Sequence, residues 1–287
     1  YVDDGLPART STSYTVASLA ALKDLTSPYP SSVRNKCRAS AGDGGGGVWV
    51  FRTGDQSANV TADTQSGLWA APNSDATGAS GAWQRQFNGV DIFFRWFGAA
   101  ATGAADDTTA WNATLAAQIA GGYIANGEGR RYGVSGDTDI EDGNWIEDVE
   151  EIRQLSPNSA SRRTLYGENL TGPVILKRVK INRNGSPTDS TTPGDAAALW
   201  LSGVSTVAPA ENILLEDVEI YGDGPGGGMI LGALQGVRII RPYIHDMRWQ
   251  KTTDPAADQI GAITPISCTD VDIVAPRIHD LTGKFTS

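Results

Sequence analysis

The two histidines of this 287-residue chain, His245 and His279, are each followed by an aspartate, Asp246 and Asp280. Two residues before each histidine stands a side chain able to meet a ligand, Tyr243 or Arg277. Two carboxylates roughly 5 Å apart would suit a retaining glycosidase, and a wider pair an inverting one. An arginine beside a His or Tyr base would instead suit β-elimination from a uronic acid. Asp246, Asp280, His245 and His279 are therefore the candidate catalytic residues. The competing account is a ladder of like polar residues at a tight turn, held by stacking and by bonds from side chain to backbone, with no substrate involved.

Positive charge gathers beside them. Arg238, Arg241, Arg248 and Lys251 fall within fourteen residues of a chain whose net charge is −10, with Tyr243 and Trp249 interleaved. Arginine pairs carboxylates in bidentate fashion and aromatic faces cover sugar rings. Arg238, Arg241, Tyr243, Arg248, Trp249 and Arg277 are thus the candidate substrate-binding residues, and a solvated basic face is the plainer alternative. Glu216, Asp217, Glu219 and Asp223 are the nearby acids; Asp223 lies in the turn GDGPGGG, where geometry alone accounts for it.

The elements that would position these residues show as a repeat. When PVILKRVKIN, NILLEDVEIY, GVRIIRPYIH and DVDIVAPRIH are aligned, three apolar columns appear. They are Val174/Ile213/Val237/Val271, Leu176/Leu215/Ile239/Ile273 and Ile181/Ile220/Ile244/Ile278. The first column is spaced by 39, 24 and 34 residues, which fits stacked coils of one register carrying loop insertions. One coil cannot bury its inner face, so neighbours must stack at about 4.8 Å and share a core. Residues 182–197 and 247–262 are then expected to project as loops, and His245 and His279 to share a column with Asn182 and Tyr221.

Composition agrees with a turn-rich β fold: 34 glycines and abundant Ser, Thr, Asn and Asp. The acidic balance sets nucleic acid aside as a partner. No run approaches the roughly 18 apolar residues of a membrane helix, and no signal-like segment opens the chain, so membrane insertion is not expected. Cys37 and Cys268 have no metal or redox spacing and are expected to be buried thiols. Without a G-x-S-x-G, a His cluster or a dinucleotide fingerprint, hydrolase triads, zinc chemistry and hydride transfer have no support, and neither metal nor cofactor is expected.

Toward the front, Leu19, Leu22 and Leu25 follow Ser18 at the spacing of a short capped helix. Two aromatic strands, VWVFR and GAWQRQF, form a small module whose core Trp49, Trp69 and Trp83 could supply. GDGGGG (42–47) lacks the Lys and Ser/Thr of a phosphate loop and reads as a flexible turn. Asp106 and Asp107 precede Trp111, Leu115 and Ile119 and then Gly121-Gly122, an amphipathic helix with an acidic cap and a glycine stop.

The order of strand, FGA, DDT, helix and a GG-strand-G-Y-V-SG run over 90–136 resembles the opening of pectate-lyase-type β-helix domains. GDGGGGVWVF and GAWQRQF before it are similar to the module preceding such a domain in phage tailspikes. The resemblance covers residues 14–136 and implies a right-handed, single-stranded parallel β-helix whose end is plugged by the helix at about 107–120. The family's usual acidic loop before DDT is here AAATGAA, so no cation is expected there. The implied organisation is an arm (1–13), an α+β virion-attachment module (14–89) and a β-helix (90–287) that stops within a repeat at Ser287, so an incomplete C-terminal end is expected. The implied function is a homotrimeric tailspike on the virion, held to the phage tail or baseplate through residues 1–89 and recognising, or depolymerising, a host surface polysaccharide. A structural tail spacer and a free secreted pectin-degrading enzyme are the alternatives.

Overall fold

The computed structural model describes residues 14–135, 138–155, 163–184, 197–207, 209–223, 227–251 and 261–285, without the side chains of 249–251 and 283–285. The chain divides into two units, Tyr1–Phe87 and Asn88–Ser287.

In the first unit, helix Leu19–Lys23 starts where the Ser18 hydroxyl accepts from the Ala21 amide at 3.2 Å. Leu19 and Leu22 are buried with Val33, Trp49, Ala70 and Trp83. Trp69 stays partly exposed, so two tryptophans rather than three fill this core. A second short helix, Ser57–Ala62, buries no side chain, which is why no apolar periodicity marks it. The glycine run is a turn, but a fixed one rather than a flexible one. The Asp43 carboxylate accepts from the amides of Arg38, Ala39, Ser40 and Gly45 at 3.1, 2.7, 3.0 and 2.8 Å. The carbonyls of Gly46 and Gly45 then accept from buried Arg85 at 2.7 and 2.9 Å. Burial, with Arg38 nearby, lowers the Arg85 guanidinium to about 9, and Asp63 opposes that fall.

The second unit opens with helix Thr108–Gly121, closed by Gly122 in the left-handed conformation at φ 65°. Its acidic pair divides the work differently from a simple cap. Asp107 accepts from the Ala100 and Ala101 amides of the preceding loop at 2.7 and 3.3 Å, while Asp106 accepts from the Thr108 amide at 3.1 Å. Burial raises the Asp107 carboxyl. Burial also pushes up on Asp106, but hydrogen bonds from Ser135 and Thr108 outweigh it and hold that carboxyl below its ordinary value.

The body of this unit is a parallel β-helix. Its main wall, behind a short first turn of Asp91–Phe93 and Thr102–Asp106, stacks six rungs: Ile124–Val134; Trp145–Gln154; Val174–Asn182; Ile213–Glu216 with Glu219–Tyr221; Leu234–Ile240 with Tyr243–His245; and Thr269–Val274 with Arg277–Ile278. All pair in parallel, and the three apolar columns are in register, as in Leu176↔Leu215↔Ile239↔Ile273 and Ile181↔Ile220↔Ile244↔Ile278. The first two rungs extend the repeat toward the helix. A second wall stacks Leu165–Leu170, Ala197–Gly203, Gly227–Gly232 and Ile263–Ile266, also parallel. The segment expected to loop out after His245 instead begins as a strand, Met247–Lys251, paired with Leu281–Phe285. A free strand edge there would leave backbone groups unpaired, which the stacking avoids. Residues 185–196 and 252–260, the centres of both expected loops, lie outside the described residues. Cys37 is buried, donating to the Ala17 carbonyl at 3.0 Å, whereas Cys268 is only half-buried; both are free thiols.

From the second on, each of these rungs bends midway at a residue of positive φ: Asp148, Arg178, Asp217, Arg241 and Ala275 lie one above another with φ between 50° and 56°. That conformation costs a residue with a Cβ about 1 kcal/mol or more. Ion pairs of alternating sign close the corner. Arg178 Nε lies 2.5 Å from Asp148 and Arg241 Nε 2.7 Å from Asp217. Packing of the apolar columns on the inner face holds the bend in place.

Candidate functional site

Because side chains alternate along a strand, the residues flanking Ile181, Ile220, Ile244 and Ile278 face outward. They form two columns: Lys180–Glu219–Tyr243–Arg277, and Asn182–Tyr221–His245–His279. The second column ends at another corner, where Gly222, Asp246 and Asp280 take φ of 89°, 49° and 52°. A Cβ on Gly222 would meet Asn182 Oδ1 at 2.6 Å, so this rung needs glycine there. Aspartate tolerates the left-handed conformation better than most residues, which gives Asp246 and Asp280 a backbone reason to be where they are.

The rings stack along the helix axis. Tyr221 and His245 are 5.6 Å apart and 10° from parallel, and His245 and His279 are 5.6 Å apart at 28°. Tyr243 lies 4.0 Å from His245, and the Arg277 guanidinium sits 4.4 Å over the Tyr243 ring. The two His-Asp pairs share one geometry at Nδ1, 2.7 Å from Asp246 Oδ2 and 2.7 Å from Asp280 Oδ2. They differ at Nε2. In His245 it faces Glu219 Oε1 at 3.3 Å; in His279 it faces the Tyr243 hydroxyl at 3.1 Å.

Two depressions open on these rungs. One of about 530 Å³ is lined by Asp217, Glu219, Arg241, Tyr243, Pro276 and Arg277. The other, about 410 Å³, is lined by Gly222, Asp223, Asp246, Arg248, Asp280 and Thr282. The cluster of basic residues seen in the sequence does not survive folding as one patch. Arg238 lies 3.9 Å from Asp272 on the first half of the rung, and Arg241 is bound at the bend to Asp217 and Glu216. Arg248 holds Asp223, with Nε 3.0 and 3.1 Å from its two oxygens. Trp249 lies in the strand beside Gly283, and its side chain and that of Lys251 are outside the described residues. Tyr243, Arg241 and Arg277 are brought into one cleft, while Arg238 is on the other side of the bend.

One buried acid carries no sequence signal. Glu151, with 4% of its side chain exposed, receives Asn182 Nδ2 at 2.5 Å and Arg153 Nε at 3.1 Å, with Arg131 at 3.6 Å. It lies where the register slips, Val149 pairing Val179 but Ile152 pairing Ile181, so two residues face one. Such a bulge redirects a side chain. Burial, then Glu151 and Glu219, push the Tyr221 phenol up to about 12. Among the described residues no group of His, Cys, Asp or Glu is arranged to hold a metal ion, and no helix is long and apolar enough to cross a membrane.

No family model and no curated protein matches the chain. Among solved structures it is similar to the tailspike protein gp49 of Acinetobacter baumannii bacteriophage Fri1, described as a capsular polysaccharide depolymerase. The identity is 13% and the TM-score 0.48, over 95% of this chain and 58% of that one. It is also similar to WceF of Pantoea stewartii, described as a glycan biofilm modifying enzyme with a bacteriophage tailspike-like parallel β-helix fold. There the identity is 13% and the TM-score 0.35, over 91% of this chain and 49% of that one. The chain thus spans about half the length of these two proteins.

Proposed function

We propose that this chain is part of a homotrimeric phage tailspike, whose front module (residues 1–89) attaches it to the tail or baseplate and whose β-helix binds a polysaccharide on the host surface. The observation that carries the reading is the outward row of rings and charges on the second half of the rungs. Tyr221, His245 and His279 repeat at successive coils beside Lys180, Glu219, Tyr243 and Arg277. A row that repeats along the axis matches a linear polymer better than a small molecule, and ring faces with charged neighbours suit sugars. The resemblance of residues 14–136 to tailspike segments supports the virion location. Stacking and backbone conformation alone account for His245 and Asp246.

A rigid spacer accounts for the alternating ion-pair corner but not for the cleft at Tyr243 and Arg277. The test is glycan binding by the full chain, measured on polysaccharides purified from a panel of encapsulated bacteria, with sedimentation to give the oligomeric state. Affinity for a surface polysaccharide by a trimer is the expected result. A monomer with no affinity for any of them removes the reading.

A further inference from the structure

We infer that copies of this chain associate side by side through the first half of the main wall, with the outward row Trp145–Ile175–Leu214 packed at the centre of the contact. This rests on the trimer reading and adds to it the face that joins the copies.

In a sheet with one face on the core and the other in water, outward positions are expected to be polar. Three successive rungs break that rule at a single register. Trp145 pairs Ile175 and Ile175 pairs Leu214, each next to an inward residue that is fully buried, Ile146, Leu176 or Leu215. The three outward side chains are half-buried and follow one another at about 4.8 Å per rung. All three rungs have further coils stacked on both sides, so the row owes nothing to either end of the wall. A contiguous apolar row facing outward marks a contact surface.

The second wall also carries an outward aromatic pair, but there the chain covers it itself. The Arg163 guanidinium sits 4.1 Å over Tyr166 and 4.4 Å over Trp200. On the main wall Lys177 reaches Trp145 more loosely, with Nζ 5.4 Å from the ring, and Ile175 and Leu214 keep surface open to water.

Charge selects the partner. Two copies of net charge −10 repel one another, so a face that joins them must carry no net charge of its own. From the second to the fifth rung the first half of the wall sets Glu147, Asp148, Glu216 and Asp217 against Lys177, Arg178, Arg238 and Arg241, and so sums to zero. The charges beside the apolar row are closed within the chain: Arg178 lies 2.6 Å from Glu147, Arg241 2.9 Å from Glu216 and Lys177 3.9 Å from Glu216. Each therefore keeps an opposite charge as its neighbour when a like face approaches. Because the row runs along the stacking direction, a second coil laid parallel follows it from rung to rung. Joining through this half leaves the rings of Tyr221, His245 and His279, on the other side of the positive-φ bend, outside the contact.

The test is sedimentation of the full chain over a range of concentrations, without glycan. The wild-type chain is expected to run as a trimer and to remain one at about 1 M salt, since the centre of the contact is apolar. Leu214→Glu and Ile175→Glu each place a carboxylate in the row and should raise the concentration at which the trimer half-dissociates by about 100-fold or more, with circular dichroism unchanged. Should the glutamates prevent folding, the double variant Ile175→Thr with Leu214→Thr, which keeps strand-favouring side chains, carries the same test with an expected rise of about tenfold. Folded variants that stay trimeric at wild-type concentrations overturn the face and leave the trimer intact, and so does a wild-type trimer that salt dissociates. A wild-type monomer overturns both, whatever its affinity for polysaccharide.

Discussion

The fifth and sixth rungs carry the same His-Asp dipeptide at the same corner, yet folding gives the two copies different surroundings. His245 is 13% exposed, stacked between Tyr221 and His279 and bracketed by Asp246 and Glu219. His279 turns its Nε2 to the hydroxyl of Tyr243. Equivalence of residue type at equivalent register is therefore not equivalence of chemistry. The neighbour in the other column one rung back, Glu219 in one case and Tyr243 in the other, sets what each imidazole meets at Nε2.

The largest effect should be in stability. Ile244 is fully buried in the third apolar column. Ile244→Ala is expected to cost about 3 kcal/mol in chemical denaturation, and a loss below about 1 kcal/mol would mean that this column does not carry the core.

Next comes the pair of aspartates. Asp246→Asn and Asp280→Asn keep a residue type that tolerates the left-handed corner, so each is expected to change stability by about 0.5 kcal/mol or less in chemical denaturation, whereas Asp246→Val should cost about 1 kcal/mol or more. Equal costs for Asn and Val would show that the corner conformation does not select the residue.

A smaller effect concerns the bend. The fifth rung closes it with Arg241 on Asp217 and Glu216; the sixth has Ala275 and no charge there. Arg241→Ala should lower the denaturation midpoint slightly, by an amount that shrinks with added salt, because the pair is exposed. An unchanged midpoint at low salt would show that the bend is held by the core alone.

The smallest is its pH counterpart. The Arg241 guanidinium holds the Asp217 carboxyl below its ordinary value, so the unfolded chain binds the proton more tightly. The stability this provides is present above the usual carboxylate pKa of about 3.9 and is lost as pH falls through the lower folded value. Asp217→Asn should therefore flatten the acid limb of stability below about pH 4, and a limb of unchanged slope would discount the pair.

The main wall was legible in the sequence because alternate apolar residues of its last four rungs fall in three columns that survive variable loop lengths. The second wall left no such trace. In Ala197–Gly203 and Gly227–Gly232 runs of consecutive residues are buried, so no period-two signal forms. Neighbours in sequence also misled: Arg238, Arg241 and Arg248 read as one basic patch, but a bend at Arg241 and a corner at Asp246 send each to acidic partners of its own. Glu151 could not be found at all, since only a bulge turns it under Arg131 and Arg153.

What the sequence determined by itself was the stacking register, and with it the meeting of His245 with His279 and of Tyr243 with Arg277. Apolar burial fixes register, because a slip of one residue would turn each core face outward. What only the tertiary structure decided was which polar partner each outward side chain met. Those choices depend on left-handed corners, a bulge and ring orientations, all set by packing between coils and none written in the local order of residues.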